Sequence, residues 1–354
     1  MNTIYFKKRL AARVKEINDN KKSMPYRYVF VLTNACNLRC SFCFQEKKPI
    51  KGSLKLEDWV NIASQLPKGS HITLTGGEPL MFRGFKELIT SFRNDITFNV
   101  ITNGLLLDET ITNFLLNQSG LRVLSCSIDD IGNKSRDFDD NMWHKLVSNL
   151  TYFRNKKIDA DPNIVFDTKT VVHGGNIEGI IPMAKFASEE LLTDTHMFMF
   201  LKGSPMQHSD LMFEYDYAFK ENKGFENYDI PKLLGEISNL RKLIKNGLIG
   251  NTKFFLHPKY VDLYSEQSLS VIEDLLDKPF HNPQNYKPCL SPWESIHINN
   301  DGNVFPCLSF PIGNTKNQNI SEIVNSNEMN QFKSDLEKCG TLPGCKQCGY
   351  LVPK

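Results

Sequence analysis

Tyr28-Val29-Phe30-Val31-Leu32-Thr33 runs almost directly into Cys36-Asn37-Leu38-Arg39-Cys40-Ser41-Phe42-Cys43, and the reading of this stretch decides the rest. The first six residues are β-branched, aromatic and apolar without alternation, as in a strand buried on both faces. The loop that follows spaces three thiols as C-x3-C-x2-C, with no fourth cysteine close enough to complete a local site. Three thiolates on one short loop suit three corners of a cubane iron–sulfur cluster and leave its fourth iron open to a small molecule. Structural zinc is the alternative, but it takes four closed ligands, usually as two separated pairs. Three unrelated buried thiols would not cluster this tightly.

Working outward, the same pattern of strand then polar turn recurs. His71-Ile72-Thr73-Leu74-Thr75 leads into Gly76-Gly77-Glu78-Pro79, where two glycines permit close backbone approach. Asn99-Val100-Ile101-Thr102 leads into Asn103-Gly104, and Leu121 to Ser127 into Ile128-Asp129. Helical periodicity fills the intervals at 56–66, 85–92, 108–116 and 143–152. Alternation of strands and helices predicts a parallel sheet with right-handed crossovers. In a barrel of this kind the chemistry gathers at the carboxyl ends of the strands, where these polar turns fall. Along the fourth strand, Ser125, Ser127 and Asp129 share one face, while Leu124, Cys126 and Ile128 face the helices.

With these motifs in this order, the chain resembles the radical SAM enzymes over most of its length. The resemblance implies a partial (βα)6 TIM-like barrel with the cluster above its first strand. Cys36, Cys40 and Cys43 would ligate a [4Fe–4S] cluster whose open iron is chelated by S-adenosyl-L-methionine. One electron would cleave the sulfonium to a 5′-deoxyadenosyl radical that removes hydrogen from substrate. A flavodoxin- or ferredoxin-type reductant is the expected electron donor. By the same resemblance Gly76, Gly77 and Glu78 would meet the methionyl ammonium, a natural partner for a carboxylate. Asn103, Ser127 and Asp129 are further candidate cofactor contacts. The family commonly has glycine after Ser-Ile-Asp; here Asp130 stands there, which leaves the following loop open. Arg136 in that loop is either a partner for the cofactor carboxylate or an exposed arginine.

A second cysteine pattern closes the chain. Cys289 precedes an alternating run, Ser291 to Asn299; Asn300-Asp301-Gly302-Asn303 marks a hairpin turn, and Val304-Phe305-Pro306 returns to Cys307. A helix is expected over 320–336, followed by Cys339, Cys345 and Cys348. This arrangement resembles the twitch or SPASM extension of radical SAM enzymes and implies one auxiliary [4Fe–4S] cluster on Cys289, Cys307, Cys345 and Cys348. A zinc ribbon is the competing reading of paired cysteines across a hairpin. Cys339 is left over, as a ligand, as a bystander or as a hydrogen-atom donor of the kind radical epimerases need. Cys126 is a poor candidate for that role because alternation turns it into the helix layer.

The expected organisation is an N-terminal helical extension (1–27), a barrel (28–203), a bridging segment with a helix near 230–246 and a short strand at 254–255 (204–285), and the cysteine-rich domain (286–354). His173, His208, His257 and His281 carry no pattern that assigns them a role. Composition adds exclusions. Net charge is +2, with 42 basic and 40 acidic residues, so there is no basic footprint for nucleic acid. Nine cysteines without a secretory signal point to metal and to a reducing, cytoplasmic compartment rather than to disulfides. No segment approaches the roughly 20 apolar residues of a membrane span. Substrate class stays open between a genetically encoded peptide, modified by oxidation, crosslinking or epimerisation, and a sugar-like small molecule. Residues 1–27 are too few for a leader-recognition module, which weighs against the peptide. A non-catalytic zinc scaffold would leave Gly76-Gly77-Glu78-Pro79 without purpose.

Overall fold

The computed structural model describes residues 24–43, 52–161, 163–200, 228–257, 261–270, 272, 287, 289–307 and 311–340. The expected N-terminal helix, the aromatic stretch after Phe200, His208, His281, Cys345 and Cys348 lie outside these residues.

Seven parallel strands form the scaffold: β1 Arg27–Val31, β2 His71–Thr75, β3 Thr97–Thr102, β4 Leu121–Ser127, β5 Val165–Val172, β6 Thr195–Phe200 and β7 Lys253–His257. Helices α1 Leu56–Ser64, α2 Phe85–Thr90, α3 Glu109–Leu116, α4 Asp140–Ala160, α5 Ile180–Lys185 and α6 Ile230–Lys245 connect them. The helices start where the sequence supplies caps. The Asp108 carboxylate accepts from Ile111 N–H at 2.8 Å, Asp139 from Met142 at 2.7 Å and Asp229 from Lys232 at 3.0 Å.

One core lies between sheet and helices. Tyr28, Phe30, Ile72, Leu74, Phe98, Val100, Leu124, Cys126, Phe166 and Phe198 project into it from the outer face of the strands. Trp59 of α1 packs on Phe30 with ring centroids 4.8 Å apart. The inner face carries polar groups instead, among them Thr73, Ser125, Asp167 and Lys169. Alternation in β4 and β5 produces this division, and buried Cys126 stands on the helix side as expected.

The sheet does not end with the barrel strands. The bridging strand β7 pairs parallel with β6, one strand more than the six expected. At the other edge a helical turn, α7 Ser291–Glu294, leads into β8 Ser295–Ile298, which pairs parallel with β1. β8 turns through Asp301-Gly302 into β9 Asn303–Phe305, and β10 Gly313–Asn314 completes a ten-stranded sheet. The single helix expected over 320–336 is two, α8 Ile320–Val324 and α9 Asn327–Cys339. Ser326 separates them, its hydroxyl accepting from Met329 N–H at 3.2 Å as a fresh N-cap. No helix among the described residues is long and apolar enough to cross a membrane.

Candidate functional site

The cysteine loop leaves the end of β1 and is fixed in place by the turn after β2. Gly77 N–H donates to the Thr33 carbonyl at 2.7 Å, and Glu78 N–H to the Ala35 carbonyl at 2.8 Å. Both glycines are required by space. A Cβ on Gly76 would lie 2.5 Å from Thr33 O, and one on Gly77 would lie 2.3 Å from Ala35 O. Gly76 also has a φ of +152°, which L side chains rarely adopt. The two glycines therefore face the backbone that presents the thiols.

Glu78 is fully buried, not a solvated turn residue. One carboxylate oxygen accepts from Thr102 Oγ1 at 2.8 Å and Leu80 N–H at 3.1 Å; the other accepts from Asn103 N–H at 2.8 Å. Burial raises its pKa to about 7, against the lowering effect of those donors. Asn103 extends the network toward the thiols. Its amide nitrogen donates to Asn37 Oδ1 at 2.7 Å and lies 4.0 Å from Cys36 Sγ. Gly104, with φ +80°, lets this turn pass: a Cβ there would stand 2.4 Å from Leu146 Cδ1 and 2.8 Å from Cys126 Sγ.

From the far side Arg136 reaches the same loop. Its Nε donates to Asp129 Oδ2 at 2.6 Å, its Nη1 lies 4.0 Å from Cys40 Sγ, and its guanidinium stands 5.5 Å from the Phe42 ring centroid. The side chain is only 13% exposed, so the exposed-arginine alternative does not apply. Asp129 is occupied on both oxygens, by Arg136 and by Val171 N–H at 2.7 Å. Asp130, in place of the family's glycine, organises the loop by accepting from Lys134 N–H at 2.6 Å and from Ser135 N–H at 2.9 Å. His173 closes the group, stacked on Phe42 at 5.4 Å, so the Phe42 ring meets both imidazole and guanidinium. Burial lowers the His173 pKa.

The donor set suits anionic sulfur. Burial raises the Cys36 and Cys40 thiols, and a coordinated metal reverses this by taking the thiolate outright. Leu38 N–H, at 3.4 Å from Cys36 Sγ, and the Asn103 and Arg136 nitrogens supply N–H groups to those sulfurs.

Ser127 lies opposite Lys169 in the β4–β5 register, level with the turn that carries Asn103. Sequence reading missed Lys169 and its neighbours. Asp167 accepts from Thr195 Oγ1 at 2.6 Å and also binds Ser125 Oγ and the Lys169 ammonium, which donates to Ser125 Oγ at 2.6 Å. The alternation Asp167-Thr168-Lys169 was the available signal, since it aims two charges at one face of a buried strand.

Hairpin pairing returns Cys289 and Cys307 to its open end, toward the end of the sheet where β1 begins. Both pack against a small separate core of Trp293, Phe332 and Leu336. Cys339 is exposed at the last turn of α9, seven residues beyond Phe332 and on the same helix face.

Comparison with known proteins agrees with this geometry. A model of the radical SAM superfamily matches residues 30–187, and one of an iron–sulfur cluster-binding domain, SPASM, matches 289–349, a range that includes all five C-terminal cysteines. The sporulation killing factor maturation protein SkfB of Bacillus subtilis is 39% identical over 115 residues, 31% of this chain and 28% of that protein. A GTP 3′,8-cyclase of Campylobacter jejuni subsp. doylei is 30% identical over 112 residues, 29% of this chain and 34% of the cyclase. The aligned part thus spans about a third or less of these relatives. Among solved structures, Streptococcus suis SuiB bound to precursor peptide SuiA superposes with a TM-score of 0.64 at 15% identity, over 96% of this chain and 75% of SuiB. The chain carries a radical SAM domain and a C-terminal SPASM domain, which imply S-adenosyl-L-methionine, a SAM-binding [4Fe–4S] cluster and an auxiliary [4Fe–4S] cluster as cofactors.

Proposed function

We propose that this chain is a peptide-modifying maturase in which Cys36, Cys40 and Cys43 hold the SAM-binding cluster and Cys289, Cys307, Cys345 and Cys348 the auxiliary one. The observation that carries the first assignment is the pinning of the cysteine loop by Gly77 and Glu78 N–H, with Asn103 and Arg136 nitrogens 4.0 Å from two of its sulfurs. When bound, these cofactors supply reductive cleavage of the sulfonium and hydrogen-atom abstraction from a substrate C–H bond. The protein's own share is placement. Gly76 and Gly77 admit the loop, Glu78 ties it to β3, and Asp129 aims Arg136. Asn103 and Ser127 offer polar groups at the barrel mouth. Glu78 and Asp129 act on the site through the groups they hold, and the Glu78 carboxylate is the acceptor nearest in kind to a methionyl ammonium.

The peptide reading is supported by the likeness to SkfB, whose name describes maturation of a killing factor and whose identity exceeds that of the nucleotide cyclase. The likeness to the cyclase is the specific observation for the second reading, a small-molecule substrate. Two experiments decide. Anaerobically reconstituted protein should hold about eight irons per chain, two cubanes, and release 5′-deoxyadenosine with dithionite. About four irons would remove the auxiliary ligand set. Co-expression with a candidate precursor peptide, taken from any short reading frame found beside the gene, should change that peptide's mass or stereochemistry. An unaltered peptide, together with 5′-deoxyadenosine release stimulated by a nucleotide, would replace the maturase reading with the second.

A further inference from the structure

Lys333, on α9, is only 7% exposed. Its ammonium stands 5.6 Å from the centroid of the Trp293 ring. Among the described residues no carboxylate is bonded to it; the acidic group that acts on it is Glu337, one turn further along the same helix and exposed. A buried ammonium normally has an anion beside it, because an aromatic face recovers only part of the hydration it has lost. The core against which Lys333 lies (Trp293, Phe332 and Leu336) is also the one that carries Cys289 and Cys307. Four cysteinate ligands leave a cubane cluster net anionic, and reduction adds another negative charge. Lys333, with no carboxylate bonded to it among the described residues, and the thiols of the proposed anionic centre thus meet one small core.

We infer that Lys333 is the counter-charge of the auxiliary cluster, a positioning and tuning residue held by Trp293 whose ammonium favours the reduced state. This rests on the auxiliary ligand set proposed above. The competing explanation is a packing brace, in which the long apolar stem fills space beside Trp293 and the charge is incidental.

The test uses the full chain carrying Cys36→Ala, Cys40→Ala and Cys43→Ala, so that only the auxiliary cluster remains, reconstituted anaerobically. Iron per chain and the midpoint potential from an EPR-monitored redox titration are read for Lys333, Lys333→Met and Lys333→Arg. With the counter-charge removed, Lys333→Met should keep its iron and shift the midpoint to lower potential. Lys333→Arg, which keeps the charge, should stay near the parent. Equal potentials for Lys333 and Lys333→Met overturn the inference, as does a shift in Lys333→Arg as large as that in Lys333→Met. Iron lost from Lys333→Met but held by Lys333→Arg supports it, because only charge separates them in that respect. Iron lost from both variants makes Lys333 a packing residue. A background protein that holds no iron at all fails the ligand assignment itself, and the inference with it.

Discussion

Gly77→Ala is the substitution that best separates the geometry of the cysteine loop from its sulfur content. The new Cβ would lie 2.3 Å from Ala35 O, 2.7 Å from Ala35 C and 2.8 Å from Asn34 O. All three are main-chain atoms, so no side-chain rotation relieves the contact. Reaching ordinary van der Waals distance requires the loop to retreat by roughly 1 Å. The bonds from Gly77 and Glu78 N–H, now 2.7 and 2.8 Å, would then stretch past the range of a hydrogen bond. Two such bonds at about 1 kcal/mol each, with about 1–2 kcal/mol of overpacking, give about 3–4 kcal/mol against the ligating conformation. At 1.4 kcal/mol per decade this is a loss of roughly two orders of magnitude or more in loop population. The assay is iron per chain after anaerobic reconstitution, with Cys289→Ala and Cys307→Ala in the background so that only the first cluster is counted. Gly235→Ala, in mid-α6 with nothing within 4 Å of its Cβ, is the control and should gain about 0.5–1 kcal/mol in stability. Full iron and normal 5′-deoxyadenosine release in Gly77→Ala would refute the pinning argument.

Glu78→Gln should lower the unfolding temperature of the apo protein, because an amide cannot accept from Thr102, Leu80 and Asn103 together and one donor is stranded at about 1–3 kcal/mol. Unchanged apo stability would return Glu78 to a purely cofactor-contacting role. Arg136→Met leaves the Asp129 charge buried and should cost about 3–5 kcal/mol in urea unfolding, with less than additive loss in the Asp129→Asn double variant; strict additivity would dissolve the pair. Burial pushes the His196 pKa down to about 3, so the unfolded chain takes up a proton near pH 6.5 that the folded chain does not. That contribution to stability is present above pH 6.5 and falls as pH drops, by about 2 kcal/mol at pH 5. Glu78, whose pKa is raised, works in the opposite sense between its unfolded value and about 7, so the reading is the difference between wild type and His196→Gln, which should lack the slope. Parallel pH curves for the two proteins would contradict it.

Local patterns carried much of this protein. The cysteine spacing, the strand-then-turn repeats and the Asp-Gly hairpin are short-range features whose physics is complete within a few residues. So the parallel barrel, the three-thiol loop and the inward face of β4 were legible. The structure decided what depends on partners distant in sequence. Glu78 reads as a ligand contact from its motif, yet it is buried, and two of its three donors, Thr102 and Asn103, come from β3 and the following turn. Asp129 and Arg136 are seven residues apart, but only the folded loop, organised by Asp130, turns the arginine inward onto Asp129, Phe42 and Cys40. Lys169 was left unassigned because the alternation Asp167-Thr168-Lys169 puts two charges on one face, and only the packed sheet says which face that is. The pairing of β8 with β1 joins residues more than 260 positions apart. No local propensity encodes that contact, because strand edges are generic and their match is selected by the packing of the whole sheet.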